Sequence, residues 1–169
     1  MTISAEPLPA PAVRLRAWQP ADAARMAELL ESPAVCRFLA ASLPHPYTVA
    51  HAREFIEACN RRTQVLERAI LCGDEIAGTI GAQWEGCCAR IGYWLGAAYW
   101  QRGIMSRALP LFIELLPPAI LRLRAAVFDF NAASVALLHR CGFVQTAETG
   151  RELAPDGQLH PILYFGRAR

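Results

Sequence analysis

Residues 99–109, with the sequence YWQRGIMSRAL, contain residue types that can hold a phosphate group. They follow a strand-like segment, and Gly103 stands directly before a run of residues typical of a helix. The N–H groups at a helix N-terminus lack helical acceptors and carry the positive end of the helix dipole, so they attract anions. Gly103 allows close approach of the backbone, and Arg102 adds a guanidinium. A helix-capping loop that binds nothing shows the same pattern, so the loop alone does not decide.

Two further motifs follow this loop along the chain. Residues 131–134 read NAAS, and Gly142 and Phe143 come shortly afterwards. Asn131 and Ser134 are both good residues for the start of a helix. The hydroxyl of Ser134 can also donate a proton, and capping and proton donation are compatible roles. With these motifs downstream, binding of a phosphate-containing ligand becomes the favoured interpretation of the loop.

The hydrophobic pattern predicts the elements that position these residues. Strands are predicted at 13–18, 64–71, 75–84, up to 95, 121–128, 143–148 and 159–165. Helices are predicted at 20–31, 48–62, 103–116 and 132–140, with Pro110 expected to kink the third or to cost it a hydrogen bond. A run of strands followed by strand–helix alternation predicts an α/β (α+β) fold in which a mixed sheet has helices on both faces. We expect a single domain over residues 13–169, preceded by a loose, proline-rich tail at residues 1–12.

Composition excludes several classes of protein. The chain has 169 residues, of which 54% are hydrophobic and 19% charged, as expected for a globular domain rather than a disordered chain. No apolar run is long enough for a transmembrane helix, and the N-terminus does not resemble a signal peptide. The formal net charge of +2 is too small to indicate a nucleic-acid partner. All 17 basic residues are arginine, so the chain has no lysine nucleophile.

The six cysteines do not form a recognisable framework. No Cys-x-x-Cys spacing occurs, and the adjacent pair Cys87 and Cys88 is not typical of a disulfide or a metal site. We therefore expect reduced thiols and a cytoplasmic protein.

Taken in order, the motifs resemble those of the GNAT acetyltransferase superfamily, in particular its RimJ/RimL-like branch of ribosomal-protein-type N-terminal acetyltransferases. The resemblance spans about residues 13–166. It implies the GNAT fold: one mixed, mostly antiparallel sheet of about seven strands, with a splayed strand pair at the cofactor site. The matching segments are VRLR (13–16), Pro-Tyr-Thr (46–48), IGYWL (91–95), the loop 99–106, NAAS (131–134) and Gly-Phe (142–143).

The same resemblance implies acetyl-CoA as the acyl-donor substrate, with no metal. Backbone groups at Trp94 and Leu95 would contact the pantetheine and the oxyanion. Relatives usually have Gly or Ala where this chain has Met105, whose larger side chain is expected to crowd the cofactor. The remaining cofactor-binding residues implied by the resemblance are Gln101, Arg102, Gly103, Ile104, Met105, Ser106, Asn131 and Ser134.

The resemblance also implies a proton donor for the departing CoA thiolate. Many relatives use a tyrosine, but the matching position here is Leu138. The RimL-like branch uses the serine of the Asn-x-x-Ser motif, which is Ser134. A thiol of pKa about 8.5 is a tolerable leaving group, so a weak acid at this position is compatible with activity.

The general base is assigned less directly. Many relatives carry a glutamate just before the IGYW motif, where this chain has Arg90. The RimL-like pattern has another carboxylate after the Gly-Phe strand, which makes Glu152 the first candidate; Glu85 is the second. His160 matches a His-Asp pair of the family, but Pro161 replaces the aspartate, so His160 loses that orienting partner.

These observations predict an acetyl-CoA-dependent N-acetyltransferase acting on a peptide N-terminal α-amine or a small amine. Two alternatives stay open: a CoA-binding regulatory or sensor module with little catalysis, and an enzyme that uses a longer acyl-CoA. The departures from the family pattern at Arg90, Met105, Leu138 and Pro161 favour the binding module. The expected partners are acetyl-CoA and the amine, with no nucleic acid and no membrane, and the protein is expected to be a monomer or a homodimer.

Overall fold

The computed structural model describes residues 12–169. The predicted N-terminal tail lies outside these residues except for Ala12. Within this range seven strands are present: β1 (Val13–Arg16), β2 (Val65–Cys72), β3 (Glu75–Glu85), β4 (Cys88–Leu95), β5 (Arg122–Phe128), β6 (Val144–Leu153) and β7 (Leu159–Ala168). Five α-helices accompany them: α1 (Ala23–Leu30), α2 (Pro33–Cys36), α3 (Val49–Arg61), α4 (Ile104–Leu115) and α5 (Ala132–Arg140).

All seven strands form one sheet in the order β1-β2-β3-β4-β5-β7-β6. Every neighbouring pair is antiparallel except β4 and β5, which run parallel. The predicted mixed, mostly antiparallel sheet with helices on both faces is therefore confirmed. β4 and β5 are joined through α4, as a parallel pair requires a crossover.

The helices cover opposite faces of the sheet. α3 packs on β2 and α1 packs on α3 and β3, whereas α4 packs on β1 and β3 and α5 packs on α4. Their apolar sides enter one core, in which Met26, Ile56, Ile80 and Phe112 are almost completely buried. Buried and exposed residues alternate along the first part of β5, whereas residues 76–82 of β3 are all buried because both faces of that central strand are covered.

The element boundaries differ from the sequence prediction in identifiable places. The helix predicted at 20–31 begins as a 3-10 turn at Pro20–Asp22, and the short helix α2 was not predicted. β6 continues to Leu153 because that residue still pairs with Leu159 of β7, and β7 continues to Ala168 because that residue pairs with Arg122 of β5. The predicted start of the second helix is correct: the Thr48 hydroxyl accepts a hydrogen bond from the His51 N–H.

An ion pair between Arg16 and the buried Asp22 connects β1 to the start of α1. Arg16 donates two hydrogen bonds to Asp22, at 2.6 and 2.9 Å, and the Gln19 N–H donates a third at 2.8 Å. Burial alone raises the pKa of Asp22, but the hydrogen bonds from Arg16 and Gln19 outweigh it and hold the pKa below its usual range. This stabilisation is present above the ordinary aspartate pKa and is lost as the pH falls through the lowered one.

Asp22→Ala is expected to lower the free energy of unfolding by about 3 kcal/mol, because it leaves Arg16 without its partner at a site where Asp22 is 8% exposed. Urea denaturation at pH 7 measures the loss. Asp74→Ala is the control, since Asp74 pairs with Arg14 in full solvent and its removal should cost about 0–1 kcal/mol. Equal effects of the two substitutions would contradict a stabilising role for the Asp22 pair.

Candidate active site

β4 and β5 separate in the middle of the sheet. Their pairing is confined to Cys88–Arg90 of β4 and Arg122–Arg124 of β5. Beyond Arg90 the two strands diverge, although β4 continues to Leu95 and β5 to Phe128. The predicted splayed pair is thus present, and backbone groups on the β5 side of residues 91–95 are available to a ligand.

The phosphate-binding loop predicted from the sequence lies between this splay and α4. Gln101 and Gly103 both have positive φ, 58° and 66°, and Gly103 is the residue that precedes the first turn of α4. No side chain in the described part of the chain caps this helix N-terminus. The N–H groups of Ile104, Met105 and Ser106 therefore have no acceptor within the helix and are available to an anion.

The side chains around the loop increase its positive charge and fix its shape. Arg102 lies over the Tyr99 ring, with 5.7 Å from the guanidinium carbon to the ring centroid. Arg107 donates hydrogen bonds to the carbonyls of Arg102 and Gly103, each at 3.2 Å. The Met105 side chain is buried and packs in the core beneath the first turn of α4.

The second motif, NAAS, begins α5. Asn131 caps the helix by accepting a hydrogen bond from the Ser134 backbone N–H at 3.2 Å. The cap therefore does not use the Ser134 hydroxyl. That hydroxyl lies 2.7 Å from the Tyr93 hydroxyl of β4, and either group can donate the hydrogen bond.

Tyr93 was not assigned a chemical role from the sequence, where it is one aromatic residue in an apolar strand. Burial raises its pKa to about 12, so the phenol stays protonated at neutral pH. It can then donate to Ser134 and leave the serine hydrogen free to point elsewhere. The position of Leu138, where many relatives have a tyrosine, is fully buried in the core.

A cleft of about 340 Å³ opens on the face of the sheet opposite to the one that carries the Tyr93 and Ser134 hydroxyls. Gly92 and Tyr93 are consecutive on β4, so their positions face opposite sides of the sheet. The cleft lies on the Gly92 side, and two carboxylates, Glu67 and Glu152, are among its lining residues. The cleft is also lined by Gly81, Gln83, Arg90 and Ala126.

The sequence predicted one of these carboxylates and missed the other. Glu152 lies on β6 opposite His160, is exposed, and lines the cleft. Glu67 lies on β2 and is half-buried, and burial raises its pKa to about 7. Glu67 follows two apolar residues in β2, and its pairing with a glycine of β3 can be known only from the register. Glu85, the second candidate, lies at the β3–β4 hairpin, away from the splay.

The other predicted positions have mixed outcomes. The Leu95 carbonyl accepts a hydrogen bond from the Trp100 indole at 2.8 Å, so that oxygen already has a partner. Trp94 is half-buried on β4, beyond the last residue paired with β5.

His160 has a carboxylate partner after all, because Asp156 lies 2.7 Å from its Nε2. The loss expected from Pro161 is therefore compensated by the turn before β7.

The geometry separates two chemical tasks. An anion site and a hydroxyl pair lie on the α4–α5 side, and a carboxylate cleft lies on the α1–α3 side. The splay of β4 and β5 lies between them. A ligand anchored at the α4 N-terminus could pass through the splay and be approached from the cleft. Within residues 12–169, no cluster of three or more His, Cys, Asp or Glu side chains is placed to hold a metal, and no helix is long and apolar enough to cross a membrane.

Three solved structures have the same fold at low sequence identity. RimJ from Mycobacterium smegmatis, in complex with CoA-disulfide, is 21% identical, with a TM-score of 0.83 over 95% of this chain and 83% of that chain. The microcin C7 self-immunity acetyltransferase MccE, in complex with acetyl-CoA and AMP, is 21% identical, with a TM-score of 0.81 over 93% and 92%. RimL, a ribosomal L7/L12 α-N-protein acetyltransferase in complex with coenzyme A, is 22% identical, with a TM-score of 0.79 over 92% and 93%.

Comparison with curated protein sequences gives no significant match. Comparison with models of protein families, in contrast, identifies the family. The family model described as "Acetyltransferase (GNAT) domain" matches residues 12–144, which is most of the chain and includes the splay, the α4 loop and the NAAS motif. The chain therefore belongs to the GNAT acetyltransferase family.

Proposed function

We propose that this protein is an acetyl-CoA-dependent N-acetyltransferase that transfers the acetyl group to an α-amine of a peptide or to a small amine. The observation that carries the proposal is the uncapped N-terminus of α4 beside the splay, with a hydroxyl pair on one face of the sheet and carboxylates on the other. The family match supports acetyl transfer, and the fold neighbours RimJ, RimL and MccE are in complex with CoA-disulfide, coenzyme A and acetyl-CoA, respectively.

The α4 loop is the proposed site for the pyrophosphate of acetyl-CoA. The N–H groups of Ile104, Met105 and Ser106 would bind phosphate oxygens, and Arg102 would add positive charge, with Gln101, Gly103 and Asn131 completing the site. The backbone of Trp94 and the backbone N–H of Leu95 would contact the pantetheine and the thioester oxygen, while the Leu95 carbonyl keeps its hydrogen bond from the Trp100 indole. An N–H directed at that oxygen would stabilise the charge that develops in the transition state.

The two faces then supply the proton transfers. Ser134 would donate a proton to the departing CoA thiolate while its oxygen accepts a hydrogen bond from Tyr93. On the other face, the amine would enter the cleft, where the exposed carboxylate of Glu152 offers a negative charge to an incoming ammonium. General acid and general base steps of this kind each contribute about 10²–10⁴-fold to a rate.

The proposed acceptor follows from the cost of deprotonating it. Deprotonating an α-amine of pKa about 8 at pH 7 costs about 1.4 kcal/mol, whereas deprotonating a lysine ε-amine of pKa about 10.4 costs about 4.6 kcal/mol. The two carboxylates of the cleft attract a cation of either kind, so they do not by themselves favour lysine. The lower cost favours an α-amine.

A peptide that carries both a free α-amine and one lysine tests this preference. We expect acetylation at the α-amine in at least about ten-fold excess, since part of the difference of about 3 kcal/mol is offset by the greater nucleophilicity of the more basic amine. Mass spectrometry locates the acetyl group, and the same peptide with a blocked N-terminus is the control. Preferential acetylation of the lysine would contradict the proposed acceptor.

A further inference from the structure

We infer that Glu67, and not Glu152, accepts the proton from the attacking amine. This assignment rests on the proposed acetyl transfer and names a residue that the sequence motifs do not indicate. Glu67 lies on β2, two strands away from the splay. The register of the sheet nevertheless places its carboxyl group over β3, on the side of the splay.

Glu67, Gly81 and Gly92 form one row across three neighbouring strands. Glu67 pairs with Gly81 of β3, and Gly81 pairs with Gly92 of β4, so all three positions share the cleft face. The Glu67 carboxyl group lies over Gly81, where a Cβ on residue 81 would collide with it. A Cβ on Gly92 would meet nothing within 4 Å. The side chain thus crosses the first glycine and faces open space over the second.

The distance from this carboxyl group to the splay is short. Adjacent strands are about 4.8 Å apart, so a carboxyl group over β3 lies about one strand spacing from the backbone of Gly92. β4 has already left β5 at Gly92. An amine nitrogen between the carboxyl group and the splay would therefore contact Glu67 directly or through one water molecule.

The carboxyl group has no strong partner within the described residues. Thr79 Oγ1 lies 3.4 Å from it but only 3.0 Å from the Arg68 carbonyl, and the hydroxyl has one hydrogen to donate. The same Thr79 oxygen accepts a hydrogen bond from the Trp18 indole. The closer carbonyl competes for the hydroxyl hydrogen, and Glu67 forms no ion pair with any residue of 12–169. The carboxylate keeps its capacity to take a proton.

The surroundings of Glu67 disfavour its charged form enough that the ionised and the protonated carboxyl group coexist near pH 7. Cys59 of α3 faces it from the helix layer, and Arg90 of β4 and Glu152 of β6 share its cleft. Burial is the largest influence on its pKa, which lies at about 7, and the Thr79 hydrogen bond opposes that rise only in part. Below this pH the base becomes protonated and is lost. Glu152 is exposed to solvent, which leaves it suited to attracting the ammonium rather than to receiving its proton.

The protons balance as follows. The ammonium gives one proton to the Glu67 carboxylate, which later passes it to water. The amine nitrogen then forms a bond to the thioester carbon, and the C–S bond breaks. The nitrogen loses a second proton to solvent water, and Ser134 regains from solvent water the proton that it delivers to the CoA thiolate. The net products are the acetylated amine, free CoA thiol and one proton released to solvent.

The test compares the pH dependence of kcat in the wild type, Glu67→Gln and Glu152→Gln. In the wild type, kcat should fall on the acid side with a midpoint near 7; Glu152→Gln should keep this midpoint while raising KM for the amine, since Glu152 attracts the ammonium. Glu67→Gln should lower kcat about a hundredfold and abolish that midpoint, with acetyl-CoA affinity unchanged. A wild-type profile and rate in Glu67→Gln would overturn this assignment while leaving the proposed function intact. Absence of turnover by the wild type with any amine would overturn both.

A second variant keeps glutamate at position 67 but displaces its side chain. Gly81→Ala puts a methyl group where the carboxyl group lies, so it should displace Glu67 and return its pKa towards the ordinary glutamate range. Gly92→Ala is the control for this titration, because its methyl group enters open space on the same row. Carbon-13 NMR of labelled glutamate carboxyl groups measures the pKa without any turnover. A Glu67 that titrates in its ordinary range in the wild type, or that is unmoved by Gly81→Ala, would overturn the assignment.

Discussion

Gly103→Asp is expected to weaken acetyl-CoA binding about a hundredfold, or about 2.8 kcal/mol. A Cβ at Gly103 meets no atom within 4 Å, so the side chain fits and its carboxylate lies at the edge of the proposed pyrophosphate site. Two unit charges 4 Å apart repel by about 4 kcal/mol near a protein surface, and salt reduces this value. Isothermal titration calorimetry with acetyl-CoA measures the change.

Gly103→Asn separates charge from shape in this experiment. Both side chains must adopt the left-handed backbone of Gly103, with φ of 66°, and both tolerate it better than most residues do. The two variants should therefore have similar melting temperatures, and asparagine should retain most of the affinity. Equal affinities of Gly103→Asp and Gly103→Asn for acetyl-CoA would show that the phosphates bind elsewhere.

Ser134→Ala is expected to lower kcat about a hundredfold, at the lower end of the range for a lost general acid, because a CoA thiolate can leave without full protonation. Acetyl-CoA affinity should change little. The helix should also survive, since Asn131 caps α5 through the backbone N–H of residue 134 and not through its hydroxyl. Stopped-flow or steady-state release of CoA thiol measures kcat.

Two companion variants interpret this result. Tyr93→Phe removes the hydroxyl 2.7 Å from Ser134 and should lower kcat about tenfold with an unchanged KM for acetyl-CoA, because it acts only by orienting Ser134. Ser32→Ala is the matched serine control, since Ser32 precedes α2 and its side chain makes no capping hydrogen bond. Wild-type kcat in Ser134→Ala, or a raised KM alone, would contradict the role of the serine as an acid.

The α4 loop could be predicted because its signals are local. A glycine before an apolar helical run, flanked by arginines, implies a left-handed residue and a free helix N-terminus, and Gly103 has that conformation. The start of the helix predicted at 48–62 is a prediction of the same kind. The burial of Met105 could not be predicted, because whether a side chain in the first turn of α4 points inward depends on how the helix packs on the sheet.

Glu67 could not be found from sequence because its position is a matter of strand register. In the chain, Glu67 and Gly92 are far apart, and only the pairing through Gly81 places them in one row. Similarly, the Asp156 carboxylate beside His160 comes from a turn whose conformation the sequence does not specify. Both groups depend on antiparallel pairing between distant segments, which hydrophobic patterns indicate only in outline.

The central claim is that this protein uses its splayed strands and α4 loop to acetylate an amine. Release of CoA thiol from acetyl-CoA, measured with a panel of N-terminal peptides and small amines alongside a binding titration of the same preparation, tests it most directly. The proposal predicts thiol release that depends on a free α-amine and that matches acetylated product one to one. Tight binding of acetyl-CoA without thiol release across the panel would contradict it and would favour a CoA-binding module.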